Sequence, residues 1–174
     1  MEASGSEAAA ARVRAGAPRR LVAVPGAATG NGRAEQRTAR LVVFLGVGDD
    51  ASSRVAAALL AHRSKGRVRA VSASTATVEL DPLVVGSLAE IGVDLVRCQT
   101  RPPAPRLLEL AELVVVMGYD QLAPTTARRT EDWCIDDPRG KDADTVRCIR
   151  DAIDRRVQRL LIRLGVAVPA RHTR

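Results

Sequence analysis

The pattern of apolar and polar residues predicts strands that alternate with helices along most of the chain. Short apolar runs, which suit strands buried on both faces of a parallel sheet, occur at residues 41–45 and 113–117, and a further strand is predicted at residues 68–71. An Ala- and Leu-rich segment that begins at about Ser52 predicts a helix directly after the first strand. This alternation favours an α/β domain.

Two further helices are predicted from their end signals and their periodicity. Asp81 is a helix N-cap residue with Pro82 in the first turn, and Gly92 marks the end of that helix. The last helix has a buried stripe at helical spacing: Val146, Ile149, Ile153, Val157, Leu160 and Leu164. Its arginines interleave with Asp144, Asp151 and Asp154, which predicts a solvated face with i, i+4 ion pairs.

The loop between the first strand and the first helix is the candidate ligand site. A Gly- and Ser-rich turn before a helix directs backbone N–H groups and the positive end of the helix dipole toward one point, which favours an anion. Two adjacent carboxylates oppose this, since each repels a nearby dianion by about a kcal/mol or more at intermediate dielectric. The predicted ligand-binding residues are Gly46, Val47, Gly48, Asp49, Asp50, Ala51, Ser52 and Ser53.

Read with three later segments, this loop resembles that of the low-molecular-weight protein tyrosine phosphatases and the arsenate reductases that share their fold. The later segments are DPLVVGSLAEIGVDL at 81–95, AELVVVMGYD at 111–120 and EDWCIDDPRG at 131–140. The resemblance covers about residues 39–166. It implies a three-layer α/β sandwich around a four-stranded parallel sheet of order 2-1-3-4.

The resemblance also implies roles for individual positions. The family's nucleophilic Cys falls on Gly46, its oxyanion-binding Arg falls on Ser52, and its following hydroxyl residue matches Ser53. The family's general acid falls on Asp137, although Asp-Pro is also a common turn dipeptide. Because neither the thiolate nor the Arg is present, the sequence predicts a catalytically inactive protein that binds a partner protein or a small ligand.

Alternatives remain open at this stage. One is an enzyme on the same fold that uses Asp49, Asp50 or Asp137 in place of a Cys nucleophile, and Cys134 is the one thiol considered as a replacement nucleophile. Another is nucleotide binding, since the segment from Gly46 to Ala51 also fits Gly-x-Gly-x-x-Ala. Residues 67–75 lack the acid expected to bind the ribose.

Composition sets the outer limits of these hypotheses. The chain has 174 residues, a net charge of +7 and 2% aromatic residues, so its core must be mainly aliphatic. We predict an Ala/Gly/Arg-rich disordered tail at 1–38, the phosphatase-like domain at 39–166 and a C-terminal tail at 167–174. A nucleic-acid arm and a start-site artefact are two further interpretations of this disordered tail, and nucleic-acid binding is not favoured because the tail lacks interleaved aromatic residues.

Cysteine use and hydropathy complete the sequence-based predictions. The chain contains Cys98, Cys134 and Cys148 without a Cys-x-x-Cys motif or metal-ligand spacing, so no metal and no cofactor are expected. Unpaired cysteines fit a reducing cytoplasm. No apolar run reaches the roughly 18 residues of a membrane span, and no signal peptide is predicted. The oligomeric state is not predicted.

Overall fold

Parallel strands form the centre of the computed structural model, which describes residues 40–46, 51–76, 79, 81–118 and 127–167. The sheet has five strands in the order β3-β2-β1-β4-β5 within these residues. All neighbouring strands are parallel. The strands are β1 (Arg40–Gly46), β2 (Val68–Ser74), β3 (Thr100–Arg101), β4 (Leu113–Met117) and β5 (Thr130–Trp133).

The predicted α/β fold and its strand order are confirmed, and the predicted strand count is corrected from four to five. The expected order 2-1-3-4 corresponds to the observed β2-β1-β4-β5. The additional strand, β3, is two residues long and pairs with Ser72 and Ala73 of β2. Two residues are too few to show a hydrophobic period, which is why the sequence pattern does not predict this strand.

Helices cover both faces of the sheet and produce the predicted three layers. The helices are α1 (Ser52–Ser64), α2 (Pro82–Ala89), α3 (Pro105–Leu110) and α4 (Ala143–Arg163). One core cluster joins α1, α2 and α4 to one face of the strands and contains Phe44, Leu59 and Ile153. A second cluster packs residues of α3 against the opposite face through Val43 and Val114.

Local capping fixes where the helices begin. The Asp81 side chain accepts a hydrogen bond from the backbone N–H of Leu83 at 2.8 Å, so the predicted N-cap of α2 is confirmed. Asp142 caps α4 in the same way by accepting from the backbone N–H groups of Asp144 and Thr145, at 3.1 and 3.0 Å. Gly92 follows α2 with a φ of +75°, a conformation that favours glycine.

The predicted buried stripe of α4 is confirmed, but the prediction of a uniformly solvated charged face is wrong. Arg150 and Asp154 are buried, with 8% and 2% of their surface exposed. Arg150 Nη1 donates to the carbonyl oxygen of Ser87 at 2.6 Å, and Asp154 accepts from Arg63. These partners belong to α1 and α2, so the pairs are tertiary contacts rather than i, i+4 pairs.

A carboxylate on the loop after α2 connects that helix to α4. Glu90 accepts hydrogen bonds from Arg147 Nη2 at 2.7 Å and from Arg150 Nη1 at 3.0 Å. These guanidinium groups, first Arg147 and then Arg150, lower the pKa of Glu90 from 4.5 to about 2. The ionised carboxylate of Glu90 is therefore more stable in the folded state than in the unfolded state.

Removal of this carboxylate should change the acid stability of the protein. The stabilisation from Glu90 is fully present above pH 4.5 and is lost as the pH falls toward about 2. We expect the difference in Tm between the parent protein and Glu90→Gln to be constant above pH 4.5 and to vanish near pH 2. In Arg147→Gln the stabilisation from Glu90 should be lost at a higher pH than in the parent protein, because the guanidinium group that lowers the pKa of Glu90 most is absent. A Tm difference that persists unchanged at pH 2 would contradict this assignment.

Some predictions about the ends of the chain cannot be compared with the structure. The predicted tail at 1–38 lies outside the described residues, as do residues 168–174 of the predicted C-terminal tail. The described residues all belong to one unit, Gln36–Arg174. Within them, no helix is both long enough and apolar enough to cross a membrane.

Candidate functional site

The predicted site lies at the carboxyl edge of the sheet, where β1 ends beside two neighbouring strands. Gly46 is paired with Ser74 at the end of β2 and with Met117 at the end of β4. Because all the strands are parallel, their carboxyl ends meet along one edge, where such folds place ligands. The predicted position of the loop at this edge therefore agrees with where its first residue lies.

Half of the predicted loop is described by the structure. Gly46 ends β1, Ala51 is the N-cap residue of α1, and Ser52 and Ser53 form its first turn. The other predicted ligand-binding residues lie outside the described residues, so their roles stay predictions: Val47, Gly48, Asp49 and Asp50.

The two serines at the start of α1 are buried and bonded to neighbouring elements. Ser52 and Ser53 have 0% and 1% of their surface exposed. Ser52 Oγ donates to the carbonyl oxygen of Asp136 at 3.4 Å, and Ser53 Oγ is 3.1 Å from Ser72 Oγ on β2. These hydroxyl groups tie the first turn of α1 to the sheet and to the loop after β5.

The hydroxyl contact of Ser53 continues across the sheet. Ser72 Oγ is also 3.1 Å from Thr100 Oγ1 on β3. Ser53, Ser72 and Thr100 therefore form a chain of hydroxyl groups, in which each oxygen can donate one proton and accept others. This hydroxyl chain runs from the first turn of α1 to the edge strand β3.

Asp137 lies in the segment that the structure places against α1, but its carboxylate already has a partner. The neighbouring residue Asp136 contacts Ser52 through its carbonyl oxygen. Asp137 Oδ2 accepts from Nε and Nη2 of Arg139 at 2.8 and 2.6 Å, and Asp137 Oδ1 accepts from the Arg139 backbone N–H at 3.1 Å. Its side chain is 33% exposed. The backbone N–H contact forms the turn that is predicted for Asp-Pro. The carboxylate of Asp137, at the position that the resemblance assigns to the general acid, is also partly accessible to solvent.

Comparison with known proteins places this geometry in context. No protein-family model matches the chain. A predicted arsenate reductase of Halobacterium salinarum is 39% identical over 77 residues, which are 42% of this chain and 53% of that protein. The chain thus spans about half the length of the curated relative that it matches.

Solved structures extend the likeness to the whole fold. An arsenate reductase in its reduced state has a TM-score of 0.64 at 20% identity, covering 72% of this chain and 98% of its own. A protein tyrosine phosphatase has a TM-score of 0.59 at 19% identity, covering 74% and 97%. The chain shares the fold of the arsenate reductases and of the protein tyrosine phosphatase, and a segment of it is similar in sequence to the arsenate reductase from Halobacterium salinarum.

The three thiols belong to segments other than β1 and the described part of the loop. Cys148 is exposed on α4, and Cys98 is partly buried beyond α2. Burial raises the pKa of the Cys98 thiol, and the positive charge of Arg54 opposes that shift. Cys134 is exposed directly after β5, with Sγ 3.9 Å from Asp132 Oδ1.

Cys134 lies in a groove between the β5 segment and α4. This groove has a volume of about 810 Å³, and its described lining residues come from those two elements. Trp133 and Ile162 contribute apolar surface there, and Arg156 donates to the carbonyl oxygen of Cys134 at 3.2 Å. Neither Gly46 nor residues 51–53 of the described loop line this groove.

Possible ligands for a metal ion are not clustered in the described part of the chain. No group of three or more His, Cys, Asp or Glu side chains is positioned to hold a metal ion there. Sequence reasoning did, however, miss two arginines at the carboxyl edge. Arg54 and Arg101 line a separate cavity of about 290 Å³ beside the ends of β2 and β3. A signal for Arg54 was present in the sequence, since it follows Ser53 directly in the first turn of the predicted helix.

Proposed function

We propose that this protein is a catalytically inactive member of the family it resembles, which acts by binding a small ligand or a partner protein at the loop from Gly46 to Ser53. The observation that carries the proposal is Gly46 itself. It ends β1 at the carboxyl edge of the sheet, and the family resemblance places the nucleophilic thiol at this residue. A glycine has no side chain with which to attack phosphorus or arsenic.

The neighbouring hydroxyl groups support binding rather than turnover. A serine nucleophile needs access to the substrate and a positioned base. Ser52 and Ser53 are almost completely buried, and their hydroxyl groups contact the Asp136 carbonyl and Ser72. Their positions suit a structural role in holding the loop and α1 at the edge of the sheet.

The remaining acid position supports the same conclusion. A general acid assists departure of a leaving group, typically by 10²–10⁴-fold, only where a bond is being broken. Asp137 is in an ion pair with Arg139, at 2.6 Å between Oδ2 and Nη2. With Gly46 and Ser52 in place of the thiol and the Arg, we assign Asp137 to the turn that positions the β5 to α4 segment.

Activity assays on the full chain test this proposal. We expect no hydrolysis of p-nitrophenyl phosphate and no thiol-dependent reduction of arsenate above a protein-free control. Asp137→Ala is the matched variant, and it should give the same background rate as the parent protein. Turnover that the parent shows and Asp137→Ala loses would overturn the proposal.

Binding can be measured in the same preparation by thermal shift with phosphate, arsenate and vanadate. A ligand present at 100 times its Kd stabilises the folded state by about 2.7 kcal/mol. A shift without turnover supports a small-ligand role for the loop. If no oxyanion produces a shift, a partner protein is the remaining occupant within this proposal.

An enzyme on the same fold is the competing hypothesis, and one observation favours testing it. Asp137 keeps a partly exposed carboxylate in the segment that contacts the start of α1. Such an enzyme would use Asp49, Asp50 or Asp137 as acid, base or cation ligand. It predicts that Asp49→Asn or Asp137→Asn loses a measurable turnover or metal affinity.

The proposed cellular location follows from the cysteines. Cys98, Cys134 and Cys148 are all free thiols in the structure. Free thiols suit a reducing compartment, and we therefore place the protein in the cytoplasm.

A further inference from the structure

A small cavity opens beside the predicted loop, at the carboxyl ends of β2 and β3. Its volume is about 290 Å³, and its lining includes Arg54, Ser74, Thr75, Thr100 and Arg101. We propose that this cavity is a second binding site, which takes a small oxyanion such as phosphate or a small phosphate monoester. Neither Gly46 nor residues 51–53 of the described loop line this cavity, and the proposal does not rest on the proposed function of the loop.

The charge of the lining favours an anion. Arg54 and Arg101 contribute guanidinium groups from α1 and β3, and none of the described lining residues is acidic. A guanidinium presents its N–H donors in a planar fork that matches the oxygen atoms of a phosphate group. Guanidinium groups from two different elements at one cavity favour an anionic ligand over a neutral or cationic one.

Arg54 is positioned by the protein itself. Its Nε donates a hydrogen bond to the carbonyl oxygen of Cys98, immediately before the segment that carries Gln99, Thr100 and Arg101. This contact fixes the guanidinium of a half-buried side chain against the wall of the cavity. Less conformational entropy is then lost when an anion binds, which favours affinity.

Hydroxyl groups supply further donors. Thr100 lines the cavity and is also the last member of the hydroxyl chain from Ser53 through Ser72. The three hydroxyl groups have three protons and two internal hydrogen bonds, so one proton remains to be donated outside the chain, and Thr100 Oγ1 is one of the groups that can donate it. An oxyanion in the cavity favours the orientation in which Thr100 Oγ1 donates to the ligand.

The size of the cavity limits the ligand. Sites for drug-sized ligands and cofactors typically have volumes of about 300–1,000 Å³. At about 290 Å³ this cavity suits a phosphate group with at most a small attached body, rather than a dinucleotide. The ligand class is therefore a small oxyanion.

Titration of the full chain with inorganic phosphate, followed by ¹H–¹⁵N NMR, locates the site directly. We expect the largest shifts at the backbone amides of Thr75, Gln99, Thr100 and Arg101. Arg101→Gln should weaken phosphate binding about tenfold or more, as expected for loss of a charge-assisted hydrogen bond. Because Arg101 is exposed, this variant is expected to fold normally.

A control variant that removes the same charge elsewhere distinguishes a specific binding site from general attraction of phosphate to a basic surface. Arg97→Gln removes the same charge from a side chain that is 87% exposed and does not line this cavity. It should change phosphate affinity by less than about twofold, since Arg97 is highly exposed and already paired with Asp94 at 3.0 Å, and such surface charges contribute little. Thr100→Val, which removes only the hydroxyl group, should weaken binding by an intermediate amount.

Three results would contradict the proposed oxyanion site, and each has a different explanation. Equal weakening by Arg97→Gln and Arg101→Gln would overturn the second site in favour of nonspecific attraction. Shifts confined to Gly46 and to residues 51–53 would overturn it while supporting an anion-binding loop. The absence of any shift at millimolar phosphate would also overturn it, whereas the proposed lack of catalysis is judged only by the activity assays.

Discussion

Replacing Asp154 with Ala should lower the free energy of unfolding by about 3–5 kcal/mol, because it leaves the charge of Arg63 without its main partner. The Asp154 and Arg63 side chains are 2% and 17% exposed. Arg63 Nε and Nη2 donate to the two carboxylate oxygens of Asp154 at 2.9 and 2.8 Å, and Gln158 Nε2 donates at 2.8 Å. The pair joins the last turn of α1 to the middle of α4.

Chemical denaturation followed by circular dichroism measures this effect. Asp144→Ala is the matched control, since its carboxylate lies on the same helix but is 93% exposed and pairs with Arg147. It should cost less than about 1 kcal/mol. Replacing both members of the buried pair with Met and Leu should recover most of the loss, because an apolar pair leaves no buried charge. A loss for Asp154→Ala no greater than that of the control would contradict the tertiary role of this pair.

Phe44→Ala should destabilise the protein by about 3–5 kcal/mol, which is typical for loss of a fully buried phenyl group. Phe44 lies in β1 two residues before Gly46 and has 0% of its surface exposed. Its ring meets that of Trp133 on β5 edge to face, with a centroid separation of 5.6 Å and an interplanar angle of 62°. Few other aromatic rings are present in this sequence to fill the cavity that the substitution would leave.

The single tryptophan makes this prediction measurable by fluorescence as well as by denaturation. In Phe44→Ala, the emission of Trp133 should move to longer wavelength, since water gains access to the indole ring. Phe44→Leu is the control, because it keeps most of the apolar volume and should cost less than half as much. Equal costs for the two variants would contradict the assignment of the loss to buried apolar volume and would attribute it to the ring contact with Trp133 instead.

Local signals explain which parts of the fold could be predicted from the sequence. β1 and β4 are short, continuous apolar runs, and α4 repeats its apolar residues at helical spacing from Val146 to Leu164. Asp81 and Pro82 mark the start of α2 by chemistry that acts within a single turn. Each of these signals depends on residues that are close in sequence.

The features that the sequence did not predict depend on residues that are far apart. Arg63 and Asp154 are separated by 91 positions, so the periodicity of α4 gives no sign that this one carboxylate is buried against α1. The cavity that contains Arg54 and Arg101 forms only when α1 and β3 meet beside β2. Its arginines appear in the sequence as ordinary surface charges, because their proximity is a property of the sheet order.

The short length of β3 has a consequence for how copies of the protein meet one another. Among the described residues, β3 covers β2 only at Ser72 and Ala73, and Arg69 lies exposed on the earlier part of β2. An uncovered strand edge is a template for pairing with the same edge of a second molecule. A charged side chain on an uncovered strand edge disfavours such pairing, so the exposed guanidinium of Arg69 acts against self-association through this edge of the sheet.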